Sequence, residues 1–138
     1  MKTVSDIMTR GVHTLNAEST LRDAELLMRE HHVRHIPVIN ENGGIAGVLS
    51  QKEFLREAFR ITDKFGAHHL QDYLAKTPVI DCLEKQLETL PANTSLKDAG
   101  ERLRKEKEGC LLVANDDGQL EGIVTSQDFV RLAIELLD

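Results

Sequence analysis

The chain has 138 residues, 41% hydrophobic and 29% charged, with a formal net charge of −6 and a pI near 5.5. That length suits one domain, or two very small ones that share a core. The acidic balance argues against nucleic acid or an anionic membrane as partner. No apolar run reaches the ~18 residues a membrane span needs, and no signal-peptide core follows the N-terminus, so a cytoplasmic protein is expected.

Val4 to Met8 reads as a short apolar turn or helix, and His13 to Leu15 as a short strand. Thr20 to His32 reads as a helix, with Leu21, Ala24, Leu27 and Met28 on one stripe and Arg22, Glu25 and Arg29 outside it. His35 to Ile39 suits a strand, ended by the turn Asn40-Glu41-Asn42-Gly43-Gly44. Ile45 to Leu49 returns as its hairpin partner, and a closing helix is expected from Gln51 to about Ile61. Phe65 to Leu74 carries a further short helix, and Pro78 ends any helix before it. Then the order repeats: strand Leu87 to Leu90, helix Ser95 to about Glu106, strand Cys110 to Ala114, turn Asn115 to Gly118, strand Gln119 to Thr125 and helix Ser126 to Leu137.

The repeat is visible residue by residue. Aligning residues 3–63 with 78–138 at an offset of 75 needs no gap and gives 17 identical pairs out of 61. Among them are Asp6/Asp81, Thr14/Thr89, Asp23/Asp98, Val38/Val113, Gly47/Gly122 and Phe54/Phe129. The expected organisation is repeat one at 1–63, a linker at 64–77 and repeat two at 78–138. Each repeat reads β-α-β-β-α, an α/β (α+β) unit with its helices on one side of a small sheet. One such unit is marginal alone, so the two are expected to be fused to bury their open sheet faces.

The stretch Gly122-Ile123-Val124-Thr125-Ser126-Gln127-Asp128 stands out. Gly122 lets another backbone come close, Ile123 and Val124 suit a strand, and Thr125 is a good helix N-cap. A hydroxyl and a carboxylate are thus held at a helix N-terminus, which attracts anions. Gly47 to Glu53 repeats the pattern with Ser50 and Glu53. Both Ser50-x-x-Glu53 and Thr125-x-x-Asp128 also fit a helix-capping box, worth about 1 kcal/mol with no ligand. The cap is the expected role at Ser50 and Glu53, ligand contact at Thr125 and Asp128.

These motifs together resemble a tandem pair of CBS domains, often called a Bateman module. Asp6-Ile7-Met8-Thr9, Leu21-Arg22-Asp23-Ala24, Arg34-His35-Ile36-Pro37-Val38-Ile39 and the two junctions carry the likeness across nearly the whole chain. The resemblance implies two repeats packed by pseudo-twofold symmetry and an adenosine ligand (AMP, ADP or ATP) in the cleft between them. It implies Asp128 for ribose and Thr125 for phosphate, with Glu53 and Ser50 as counterparts. Thr14 and Thr89 would line the adenine pockets, and Arg34-His35 before Ile36-Pro37 would supply the basic pair. Glu53 departs from the usual Asp or Asn, Gly109-Cys110 stands where repeat one has Arg34-His35, and Leu112 replaces Pro37. One competent site, built around Asp128, is therefore expected.

Other readings have less to stand on. Adjacent His68 and His69 are expected to point apart, and no carboxylate or Cys completes a zinc-like set around the six histidines. Cys82 and Cys110 lack CxxC spacing and read as reduced core thiols. No Ser-His-Asp, Cys-His or H-E-x-x-H arrangement is present, and no phosphate-cradling glycine loop. The expectation is a regulatory module rather than an enzyme, with no obligatory cofactor. It would form a homodimer through the helices Gln51 to Ile61 and Ser126 to Leu137, and regulate another protein. A ligand-free scaffold, a binder of S-adenosylmethionine or NAD(H), and a small enzyme acting on nucleotides are the alternatives.

Overall fold

A computed structural model describes residues 2–83, 88–105 and 109–137. It contains two three-stranded sheets, and the elements follow in the expected order. The first sheet has β1 (Leu15–Asn16), β2 (His35–Ile39) and β3 (Ile45–Ser50), with helices α1 (Leu21–His31) and α2 (Gln51–Phe65). Helix α3 (Leu70–Lys76) follows. The second sheet has β4 (Thr89–Leu90), β5 (Cys110–Ala114) and β6 (Leu120–Thr125), with α4 (Leu96–Lys105) and α5 (Ser126–Leu136). In each sheet the short first strand runs parallel to the middle strand, and the third is antiparallel to it. The expected ends of a strand at Leu87 and a helix at Glu106 lie outside the described residues.

Small differences between the repeats trace to single residues. β4 pairs Thr89 with Leu112, whereas β1 begins one residue later, pairing Leu15 with Val38. Pro37 stands where the second repeat has Leu112, and a proline has no N–H to give a ladder. At the other end β4 stops at Leu90 because Pro91 follows, while β1 runs on through Asn16. Both hairpins shift register at the same place, between Val38 and Ile39 and between Val113 and Ala114, so each third strand carries a bulge just before Gly47 or Gly122. The turns match too: Gly43 and Gly118 have φ of 85° and 79°, a region open to glycine, and their N–H groups donate to Asn40 and Asn115 carbonyls at 3.0 Å.

Two expectations need correcting. Helix α2 runs past Ile61 to Phe65, where Gly66 ends it. Thr62 is half-buried and Asp63 exposed, but Ile61 packs in the core and the Phe65 ring stacks on Tyr73 of α3 at 3.9 Å, which rewards the extra turn. His68 and His69 do not point apart, since their rings lie 4.1 Å from each other. They sit in a 3-10 turn, Ala67–His69, rather than in an α-helix.

By packing, the chain divides into His13–Leu87 and Met1–Val12 with Glu88–Asp138. The sequence repeat and the packing unit therefore do not coincide. In the first unit Leu21, Ala24, Met28, Ile36, Val38, Leu49 and Phe54 form a core that also takes in Val79 from the start of repeat two. In the second unit Leu111, Val113, Val124 and Ala99 pack with Val4, Ile7 and Met8 from the start of repeat one. Backbone hydrogen bonds repeat the exchange at equivalent positions. Val79 N–H donates to Ser19 C=O and Val4 N–H to Thr94 C=O, both at 2.9 Å. Leu21 N–H donates to Thr77 C=O at 2.9 Å, and Leu96 N–H to Lys2 C=O at 3.2 Å. The N-terminal segment is itself stiffened by Asp6, whose carboxylate accepts the N–H groups of Thr3 and Lys2. Those two donors hold the Asp6 carboxyl below its ordinary pKa.

Gly122 makes this docking possible. Thr9 N–H donates to Ile123 C=O at 2.9 Å, and Ile123 N–H donates back to Thr9 C=O at 3.0 Å. A Cβ at Gly122 would lie 2.7 Å from Met8 Sδ and 2.9 Å from the Thr9 carbonyl oxygen. The Met8 side chain can turn aside, but the Thr9 backbone cannot. Gly122→Ala is therefore expected to destabilise the protein by about 1–3 kcal/mol, measured by urea unfolding. A wild-type midpoint would show that the segment yields without cost.

Candidate functional site

The residues singled out in the sequence fall into two groups. Thr14, Arg34, His35, Ile36, Pro37, Ser50 and Glu53 belong to the first packing unit, and Thr89, Thr125 and Asp128 to the second.

The second group centres on the start of α5. Thr125 ends β6 in an extended conformation and serves as N-cap, which places Asp128 at the third helical position. The Thr125 N–H donates to Asp128 Oδ2 at 2.8 Å. Arg131, one turn further along α5, forms an ion pair with Asp128 Oδ1. The Thr9 hydroxyl donates to the same oxygen at 3.2 Å, carried there by the bridge between Thr9 and Ile123. Asp128 is only 3% exposed. An anion so buried is tolerated because a helix N-terminus, a guanidinium and two further donors surround it. Thr89 lies on the same sheet, exposed, with its Cα paired to that of Leu112.

The first group differs in one telling way. Ser50 Oγ accepts the Glu53 N–H at 3.1 Å, so the hydroxyl half of the cap is present. The carboxylate half, expected from the sequence, is not: Glu53 reaches forward to Arg56 at 2.9 Å. The reverse arm is made at Asp6, Asp23 and Asp128, whereas at Asp98 the hydrogen bond made is the forward one, its N–H donating to Ser95 Oγ at 3.1 Å. The longer Glu side chain finds its neighbour one turn on instead. His35 sits opposite Ser50 in the β2–β3 ladder, and the Arg34 carbonyl accepts the Gln51 N–H at 2.8 Å. The chain leading into β2 thus caps the first turn of α2. Ile36 is in the helix-side core, while Pro37 pairs with Val48 on the other face, both fully buried. Arg34 lines a depression of about 420 Å³ between α1 and α2 with Met28, Arg29 and Phe54. Thr14 lines another of about 410 Å³ with Asn16, Ser19 and Asp23.

Two residues of this constellation escaped the sequence reading. Arg131 had a usable signal, since Arg56 and Arg131 are an identical pair three residues after each junction acid. Thr9 had only its place in the motif Asp6-Ile7-Met8-Thr9, and nothing local linked it to Asp128, 119 positions away.

Burial, with Glu57 and Asp81 nearby, pushes the Cys82 thiol up to about 11. Among the described residues no group of three or more His, Cys, Asp or Glu is placed to hold a metal, although His13 and His31 stack at 3.8 Å. No helix of the described residues is long and apolar enough to cross a membrane.

Comparison with known proteins agrees with this architecture. A family model described as CBS domain matches residues 4–60 and again 76–135. The chain belongs to the CBS domain family. It is 31% identical over 128 residues to CBS domain-containing protein YhcV of Bacillus subtilis, covering 93% of this chain and 83% of that one. Among solved structures, AcuB from Vibrio cholerae is 32% identical with a TM-score of 0.81, covering 99% of this chain and 93% of the other. CBSX2 of Arabidopsis thaliana, solved in complex with AMP, is 28% identical with a TM-score of 0.82 and full coverage of both chains. The CBS pair also matches parts of larger enzymes. It spans 24% of the length of a homoserine O-acetyltransferase from Methanobrevibacter ruminantium and 20% of an inosine-5'-monophosphate dehydrogenase from Bifidobacterium longum.

Two measurements check the site. Glu53→Asp should complete the box at α2 and raise stability by up to about 1 kcal/mol in urea unfolding, and a loss would show that the pairing with Arg56 matters more. Alkylation of Cys82 by iodoacetamide should be slow at pH 8 and rise about tenfold per pH unit toward 11, because the thiolate reacts. A plateau near pH 8 would contradict the raised thiol.

Proposed function

We propose that this CBS pair is a regulatory module that binds an adenosine nucleotide, with Asp128 receiving the ribose hydroxyls and Thr125 the phosphate. The observation that carries the reading is Asp128 itself, a carboxylate held at the N-terminus of α5 beside a capping hydroxyl. The AMP complex of CBSX2, alike over its full length, supports the ligand class. Glu53, turned toward Arg56, makes the junction of repeat one the poorer ribose acceptor. The ligand acts by its difference in affinity between conformations, and a partner protein reads the shift.

A homodimer belongs to the same reading. Leu55 and Phe59 on α2, and Val130 and Ile134 on α5, are repeat equivalents that all stand exposed, Phe59 by 70%. They form matching apolar stripes suited to a second copy.

One observation favours a ligand-free scaffold instead: Asp128 already has three donors. Thermal unfolding with AMP, ADP, ATP, S-adenosylmethionine and NADH at millimolar concentration separates the two. AMP at 100 times its Kd should add about 2.7 kcal/mol, a rise of several degrees. Asp128→Ala should weaken the effect more than Glu53→Ala does. If no compound raises the midpoint, the scaffold reading wins.

A further inference from the structure

Asp128 is too well satisfied to receive a sugar without giving something up. An ionised carboxylate offers about four acceptor positions. Three are taken, by the Thr125 N–H at 2.8 Å, the Arg131 guanidinium and the Thr9 hydroxyl at 3.2 Å. A vicinal diol brings two O–H donors, so one present donor must leave. With only 3% of Asp128 exposed, something must also move before a ligand reaches it.

The three donors are not equal. The Thr125 N–H is fixed in the backbone of the helix cap. Arg131 is charged, and charge-assisted bonds are about twice as strong as neutral ones. The Thr9 hydroxyl is neutral, has the longer of the two neutral contacts, and swings away by one rotation about χ1. Its backbone stays in place on the two bonds to Ile123.

We infer that Thr9 is a built-in competitor for the diol at Asp128, and that ligand binds by replacing its hydroxyl. The inference rests on Asp128 being the ribose acceptor. It makes Thr9 an affinity-setting residue and ties the N-terminal segment to occupancy. Coupling is reciprocal, so whatever loosens Thr9 from Asp128 tightens the ligand by the same factor. The sequence does not repeat the hydroxyl: at the offset of 75 the position matching Thr9 is Glu84.

Calorimetric titration of the wild type and Thr9→Val with AMP and with 2′,3′-dideoxy-AMP tests it. Removing the competitor should tighten AMP binding roughly three- to tenfold, the range expected for one hydrogen bond. Affinity for the dideoxy compound, which lacks the diol, should not change. If Thr9→Val binds AMP no better or more weakly, Thr9 does not compete, and the inference falls. Should Asp128→Ala still abolish AMP binding in that case, the ribose reading survives alone. If the wild type and Thr9→Val both fail to bind AMP, the two fall together.

Discussion

The architecture depends on an exchange of leading segments. Each repeat begins with a few apolar residues that dock on the sheet of the other: Val4, Ile7 and Met8 in one unit, Val79 in the other. The same pairs of backbone groups bond in both directions. Each repeat, cut out at its sequence boundary, would keep its three strands but lose part of its core. A unit this small buries too little to be stable alone, and here part of its core comes from outside the repeat.

The exchange also builds the site. Thr9 reaches Asp128 because the leading segment lies along β6, and it lies there because Gly122 has no side chain. Packing, backbone pairing and a side-chain hydrogen bond thus converge on one carboxylate. Asp128 serves as cap, ion-pair partner and anchor at once. In the first repeat the corresponding acid is one methylene longer and turns to Arg56. Two junctions that began from the same pattern now differ in what their acids touch.

Much of this was legible in the sequence because it is local. The strands His35–Ile39 and Cys110–Ala114 have the expected ends, since turn residues and a short apolar run bound each. Gly122 was read as a point of close approach, and Thr9 is what approaches. The fold itself followed from the offset of 75. What stayed hidden depends on partners distant in sequence or on fine competition between side chains. The last turn of α2 needed Tyr73 to explain it. The missing arm at Glu53 required weighing the N-cap N–H against Arg56. The ring of donors around Asp128 includes one from nearly the other end of the chain.

The exchanged segments also set an order of assembly. A chain is made from its N-terminus, and domains tend to fold as they appear. The unit His13–Leu87 holds all its strands and its borrowed Val79, so it is complete before the rest emerges. Residues 2–12 precede that unit in the chain but pack on a sheet that follows it, so they must wait for that sheet before they can dock. Until then Val4, Ile7 and Met8 remain uncovered. Pairing across 119 positions, as between Thr9 and Asp128, is slow, and that interval leaves the segment open to chaperones and proteases.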